Sequence, residues 1–230
     1  MNYKNLLRIL VHDVSNYLTV THGYLELIKP EVKQSKNLEK LISVINNLTE
    51  LVGGIKALEA LKTNGPDFYQ TDETMRELLN SLLNIFSSTL AFKSIVLKIE
   101  VERNLQVPPI NTSILKYQVI GNLLSNAIKF SNPNSEINIH AYSEGHDTFL
   151  KIKDQGVGIP KEVFDSLFEW DKKSQRKGTS GELGTGFGLP IVKQIVEIYG
   201  GTIAVVSPLD KTLEMGTEIT LKFSKEPVNK

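Results

Sequence analysis

Apolar residues at alternating steps of four and three restrict the first quarter of this chain to one kind of structure. Leu7, Val11, Val14, Leu18, Thr21, Leu25 and Ile28 keep that spacing, and Leu41, Ile45, Leu48, Val52 and Ile55 repeat it, continuing through Leu58 and Leu61. A stripe recurring every 3.5 residues requires a helix and buries itself only against other helices. Pro30 ends the first helix and the polar link EVKQSK follows, so residues 4 to 62 are expected to fold back as a helical hairpin. A lone hairpin leaves apolar surface in water. Two copies joined as a four-helix bundle would cover it, and a homodimer is the expected state.

The same seam places the residues that face away from it. With Val11 and Leu18 at heptad position a, His12 falls at b, Asp13 at c and Asn16 at f, all on the solvent side. An outward imidazole beside a carboxylate can act as a nucleophile, because the acid holds one ring nitrogen and takes its proton while the other attacks. Polar residues also occupy such positions with no chemistry at all, and these three residues by themselves leave both readings open. His22, His140 and His146 read as ordinary surface or strand residues.

The breaker cluster TNGPD at 63–67 marks a boundary, giving a hairpin domain over residues 1–65 and a second domain over 66–230. In the second, helical spacing is expected over 72–91, 112–130 and 189–199. Strand patterns fall at 95–101, 136–142, 147–153, 202–207 and 217–223. The chain is therefore α+β, a helical hairpin followed by a two-layer α/β sandwich.

Composition excludes several functions. Lys+Arg and Asp+Glu both number 26, so there is no basic excess to hold nucleic acid or an anionic membrane. With no cysteine, disulfides, thiolate metal sites and cysteine nucleophiles are excluded, and a reducing cytoplasm fits. No apolar run approaches the ~20 residues needed to span a bilayer, and Asp13 comes too early for a signal-peptide core. A soluble, cytoplasmic chain without a membrane segment is expected.

A second constellation begins at QVIGNLLSNAIKFS, 118–131. One helical face is apolar, and Gln118, Asn122, Asn126 and Lys129 form the other. Neutral amides ending in a cation suit a metal-bound polyphosphate, since an amide oxygen is a hard ligand for Mg²⁺ and Lys129 can offset phosphate charge. A polar outer helix face would look the same. In KIKDQGVGIP, 151–160, a strand ends at Asp154, a candidate acceptor for an exocyclic amino group, and Gly156 and Gly158 let the backbone turn tightly. In GELGTGFGLPIVKQIVE, 181–197, Gly184, Gly186 and Gly188 run into a helix whose first turn carries Pro190. Glycines feeding a helix N-terminus can hold an anion, although a flexible hinge is equally glycine-rich. Neither a P-loop nor a Rossmann spacing is present. Gly216-Thr217 opens the last strand.

Taken in order, these pieces resemble the sensor histidine kinases of two-component signalling. HDVSN is similar to their phosphoacceptor box, NLLSNAIKF to the N box, DQGVGIP to the first glycine box, GTGFGLPIV to the second, and GT at 216 to a third. The resemblance implies a nucleotide domain of the Bergerat or GHKL type, shared with Hsp90-type chaperones and type II topoisomerases. It implies that His12 is phosphorylated from ATP, that Asp13 is its acid/base partner, and that Asn16 helps place water when a partner is dephosphorylated. Asn126 would coordinate Mg²⁺, with Asn122 and Lys129 near the phosphates and Asp154 and Thr217 at the adenine. The boxes add Phe130, Ile159, Thr185, Phe187 and Leu189, and Phe168 matches the aromatic before a lid over residues 169–185.

Three positions depart from the family pattern. Tyr17 stands where a proline is usual, which implies a weaker helix bend. The acid beside His12 is Asp rather than the commoner Glu. Asp171 occupies the second aromatic position, with Trp170 one residue earlier. The implied phosphoryl acceptor is an aspartate on a response-regulator receiver domain. Because His12 lies so near the start of the chain, the stimulus is expected from a separate sensor protein or from a sensor domain missing here. Two other readings share these motifs: a histidine phosphotransfer or scaffold protein with a degenerate ATP domain, and a GHKL ATPase of the chaperone or topoisomerase kind. The latter families have a catalytic glutamate where this chain has Asn122, and they lack the histidine-bearing hairpin.

Overall fold

The computed structural model describes residues 3–28, 36–68, 71–170, 176–182, 184–208 and 215–224; for residues 3–10, 12–13, 36–37, 39–40 and 43 it describes the backbone alone. Two long helices come first, α1 (Tyr3–Ile28) and α2 (Lys36–Asn64). They pack along each other through Val11, Leu18 and Leu25 against Ile45 and Val52. His22 Nε2 lies 3.2 Å from Thr49 Oγ1, a second tie between them.

The seam is divided rather than buried whole. Every seventh residue of α1 is inside, while Val14 and Ile28 are 42% and 43% exposed and Thr21 is also on the surface. Leu41 and Leu48 of α2 are likewise exposed, at 49% and 40%. Two helices touch along one line only, so the flanking rows of each stripe stay in solvent. The side chains of Leu7, His12 and Asp13, and the link at 29–35, lie outside the described residues.

After α2 come α3 (Met75–Lys93), β1 (Val96–Val101), a π-helical stretch (Ile114–Ile120), α4 (Gly121–Phe130), β2 (Glu136–Glu144) and β3 (Asp147–Asp154). Then follow a short α5 (Lys161–Phe164), α6 (Gly188–Ile198), β4 (Thr202–Val206) and β5 (Thr217–Ser224). A capping box starts α3: Glu77 N donates to Thr74 Oγ1 and Thr74 N to Glu77 Oε2, which satisfies amides a helix start leaves open. The five strands form one mixed sheet in the order β1-β2-β3-β5-β4, with only the β1–β2 pair parallel.

Alternate residues of the sheet, among them Ile137, Ile139, Leu150 and Leu221, are buried with Leu78, Leu82, Leu124, Val192 and Val196 of α3, α4 and α6. Leu58 and Leu61 at the end of α2 belong to this same core rather than to the cluster shared with α1. The expected helix over 112–130 runs without a break, its first half π-helical. There Gly121 N bonds Lys116 O, five residues back. One inserted residue turns the following face by about 100°. The Gln118 side chain closes on Gly53 of α2, while Asn122 and Asn126 line the cleft described below.

Candidate functional site

Sheet register builds the floor of the site. The last residue of β3, Asp154, pairs with the first of β5, Thr217. One carboxylate oxygen, Oδ1, accepts from Gly156 N at 2.8 Å and from Thr217 N at 3.2 Å. Among the described residues no hydrogen bond to Oδ2 competes with these, and it can accept from a ligand. Burial pushes Asp154 up to about 6, against the two amides and the charge of Arg176, which all pull it down. At neutral pH it is still mostly a carboxylate, held rigid for a donor.

Around this floor opens a cleft of about 970 Å³, its solvent-filled mouth included. It takes Asn122, Asn126, Lys129 and Phe130 from α4, Gly158 and Ile159 from the turn after β3, and Gly184, Thr185, Gly186, Gly188 and Leu189 from the approach to α6. Asp154 and Thr217 complete the set of sequence-expected residues that converge there. Gly158 and Gly186 have φ of 66° and 78°, left-handed values at which a side chain is strained. A Cβ on Gly188 would stand 3.1 Å from Asn122 Oδ1, so glycine gives the helix start its close approach to the amides without displacing them. Asn122 is oriented from behind, its Nδ2 donating to Gln118 O at 2.8 Å.

Three expected residues do not line the cleft. Gly156 is buried behind it, where a Cβ would run into the Phe130 carbonyl; it forms the turn that holds Asp154. Phe168 lies under Lys193, whose Nζ is 5.2 Å from the ring centroid. Phe187 packs against the core and beside Trp170, ring centroids 6.1 Å apart. Asn16 is exposed on α1, which contributes no residue to the cleft among the described residues.

Other residues enter that no spacing marked. Arg176 donates from Nη1 to Gly158 O at 3.0 Å and lies 4.6 Å over the Phe130 ring. Burial lowers its pKa, with Asp154 opposing. Asn47 and Glu50 of α2 also line the mouth, and Ser125 Oγ reaches Glu50 Oε1 at 3.5 Å. Lys129 is lowered by burial foremost, with Glu182 and Glu50 pulling it back up. Leu167 and Ile159 supply apolar wall. Only the polar loop around Arg176 could have been suspected from sequence; the approach of α2 had no local signal.

A half-apolar cleft with one buried acceptor at its floor, a cation above it and glycines leading into a helix can take a flat base at one end and phosphates at the other. Residues 111–227 match the model of the histidine kinase-, DNA gyrase B-, and HSP90-like ATPase family, and the chain belongs to that family. Among curated proteins, sensor protein KdpD of Clostridium acetobutylicum is 29% identical over 209 residues, which are 88% of this chain and 23% of KdpD. The chain spans about a quarter of the length of the curated relatives it matches. Among solved structures, the Acinetobacter baumannii histidine kinase AdeS superposes with a TM-score of 0.63 at 22% identity, covering 94% of this chain and 98% of that one. Histidine kinase ThkA in complex with response regulator protein TrrA gives 0.61 at 23% identity, covering 98% of this chain and 63% of that one. At such identities the likeness is one of fold.

Proposed function

We propose that this chain is the phosphoacceptor and catalytic portion of a sensor histidine kinase, which binds ATP in the cleft and transfers its γ-phosphoryl group to His12. One observation carries the reading: Asn126, Lys129, Asp154, Gly186 and Thr217, scattered along the sequence, line a single cleft. The residues present fit the nucleotide. Asp154 Oδ2 is placed to accept from the exocyclic amino group, and Phe130, Ile159 and Leu167 offer apolar contact to a flat ring. Lys129 and the glycines before α6 suit the phosphates. Asn126, with Asn122 beside it, provides amide oxygen for Mg²⁺. Among the described residues no three His, Asp or Glu side chains gather into a cage, so the ion would be shared with the phosphates. When bound, the metal offsets charge on the transferring group.

In the proposed step an imidazole nitrogen of His12 bonds to the γ-phosphorus as the bond to the bridging oxygen breaks and ADP leaves; Asp13 takes the ring proton. The phosphoryl group then passes to an aspartate of a receiver domain, and Asn16 places water for the reverse, dephosphorylating activity. Residues 1–65 serve as the phosphoacceptor hairpin and 66–230 as the ATP domain. Two chains pair through α1 and α2 as a four-helix bundle in the cytoplasm, taking their signal from a sensor outside this stretch. Among the described residues no helix is long and apolar enough to cross a membrane.

The test is incubation with γ-labelled ATP and Mg²⁺, parent against His12→Gln. Acid-labile label on the parent and none on the variant is expected. Equal labelling of both would remove His12 from the mechanism. No ATP binding at all would favour a phosphotransfer scaffold, and rapid release of free phosphate a chaperone-like ATPase.

A further inference from the structure

One buried ammonium group has no part in the chemistry above. Lys93, the last residue of α3, is only 2% exposed. Its Nζ donates to Ile128 O at 2.9 Å, Lys129 O at 3.0 Å and Ser131 O at 3.4 Å, all at the C-terminal end of α4. Thr179 Oγ1 at 2.8 Å and Glu182 Oε1 at 2.6 Å complete a ring of five acceptors that its three N–H groups share. The first three acceptors are carbonyls at a helix end, where the α4 dipole is negative and a cation is favoured. The other two, Thr179 and Glu182, lie within the stretch expected as the lid, just before the glycine run.

We propose that Lys93 is a positioning residue for the nucleotide site: through Thr179 and Glu182 it ties segment 176–182 to the end of α4, and so sets where Lys129 and Arg176 stand in the cleft. This rests on the nucleotide reading above.

The segment is stitched to Lys129 itself. Thr179 N donates to Lys129 O at 3.0 Å and Thr179 Oγ1 to Ser131 O at 2.6 Å. A Cβ on Gly178 would stand 2.6 Å from Lys129 Cγ and 2.8 Å from its carbonyl, so the two backbones approach as only glycine allows. Glu182 is fixed in turn, Oε2 accepting from Ser180 N at 2.8 Å. Two residues before Gly178, Arg176 enters the cleft against Gly158 and Phe130.

Glu182 serves two lysines. Burial acts to raise its pKa, but the bonds from Lys93 and the 180 amide hold it below the ordinary value, and its charge also acts on Lys129. Lys93 is the buried member of its pair with Glu182, so removing Glu182 would leave a buried cation with one partner fewer. Since Lys93 stays on Glu182, Lys129 can turn to an incoming phosphate without stranding that carboxylate. Lys93 thus frees Lys129 for the ligand while keeping the segment in place.

The experiment compares the parent with Glu182→Gln, Lys93→Met and the double variant. Amide hydrogen exchange without nucleotide, then titration with Mg·ADP, are read on each. Glu182→Gln keeps the carbonyl contacts of Lys93. In it the Thr179 and Ser180 amides should exchange faster while those of β3 do not. Its ADP affinity should fall on the order of tenfold with the phosphorylation rate at saturating ATP little changed. Lys93→Met should add less in the Glu182→Gln background than alone. Parent-like exchange and affinity in Glu182→Gln would overturn the proposal. So would an affinity loss that merely follows faster exchange in β3, which marks a general loss of stability. A parent that binds no ADP would instead bring down the nucleotide reading, and the exchange data would still decide whether Lys93 and Glu182 hold the segment.

Discussion

Asp154 shows how one side chain can be read from sequence while its chemistry waits for its neighbours. A strand ending in Asp before two glycines identified it, but only the pairing with Thr217 gives its carboxylate a second amide and removes it from water. With its pKa raised from 3.8 to about 6, the native state holds a proton at pH values where the unfolded chain has lost it. Stability from this group is therefore fully present below pH 3.8 and lost as pH rises through about 6. Urea unfolding at pH 7 and pH 5 should show the parent gaining on Asp154→Asn at the lower pH. ADP affinity should move the other way, falling below about pH 6 in the parent because a protonated acid is a poorer acceptor, with no such step in Asp154→Asn. A pH-independent affinity in the parent would remove Asp154 from ligand contact. Arg176 is the opposite case: a lone cation in a polar loop has no period to mark it, and only its place over Phe130 brings it into the site.

At the scale of elements, the two adjacent glycines in the middle of α2 disagree with helix propensity and are explained by what docks there. A Cβ on Gly54 would lie 2.7 Å from Ile191 Cδ1 and 2.9 Å from its Cγ2, in the first turns of α6. Gly53 is less confined, with Gln118 Nε2 at 3.1 Å from such a Cβ. Gly23 of α1 has nothing within 4 Å of such a Cβ. Denaturant melts should therefore separate two changes that propensity alone treats alike. Gly23→Ala should stabilise by up to about 1 kcal/mol. Gly54→Ala should destabilise by about 1–3 kcal/mol, because overpacking a buried contact outweighs the backbone gain. Equal stabilisation by both would mean that α2 does not rest on α6. The periods of α3, α6 and the five strands were legible because each turns one apolar face to the core. The π-helical stretch was not, since an inserted residue leaves composition and apolar periodicity almost unchanged.

Across the whole molecule, apolar surface is distributed unevenly. The sheet and its helices close over a dense core, whereas α1 and α2 leave Val14, Tyr17, Val20, Tyr24, Leu27, Leu41 and Leu48 exposed. Exposed apolar side chains gathered on one pair of helices suit an interface, and a second copy would offer the same surface in return. Sedimentation should find the parent dimeric and a Val14→Glu/Leu48→Glu variant monomeric, with ADP affinity unchanged because neither residue lines the cleft. A parent that stays monomeric at high concentration would leave the bundle without support. The amino-acid sequence by itself determined what depends on neighbours a few residues away: helix and strand periods, the turn glycines, the run into α6, and the family. The tertiary structure alone decided which seam rows are covered, that Lys93 lies beneath segment 176–182, and that Glu50 and Arg176 reach the cleft. Those outcomes depend on which distant surfaces meet, and periodicity gives the direction of a face without naming what it will touch.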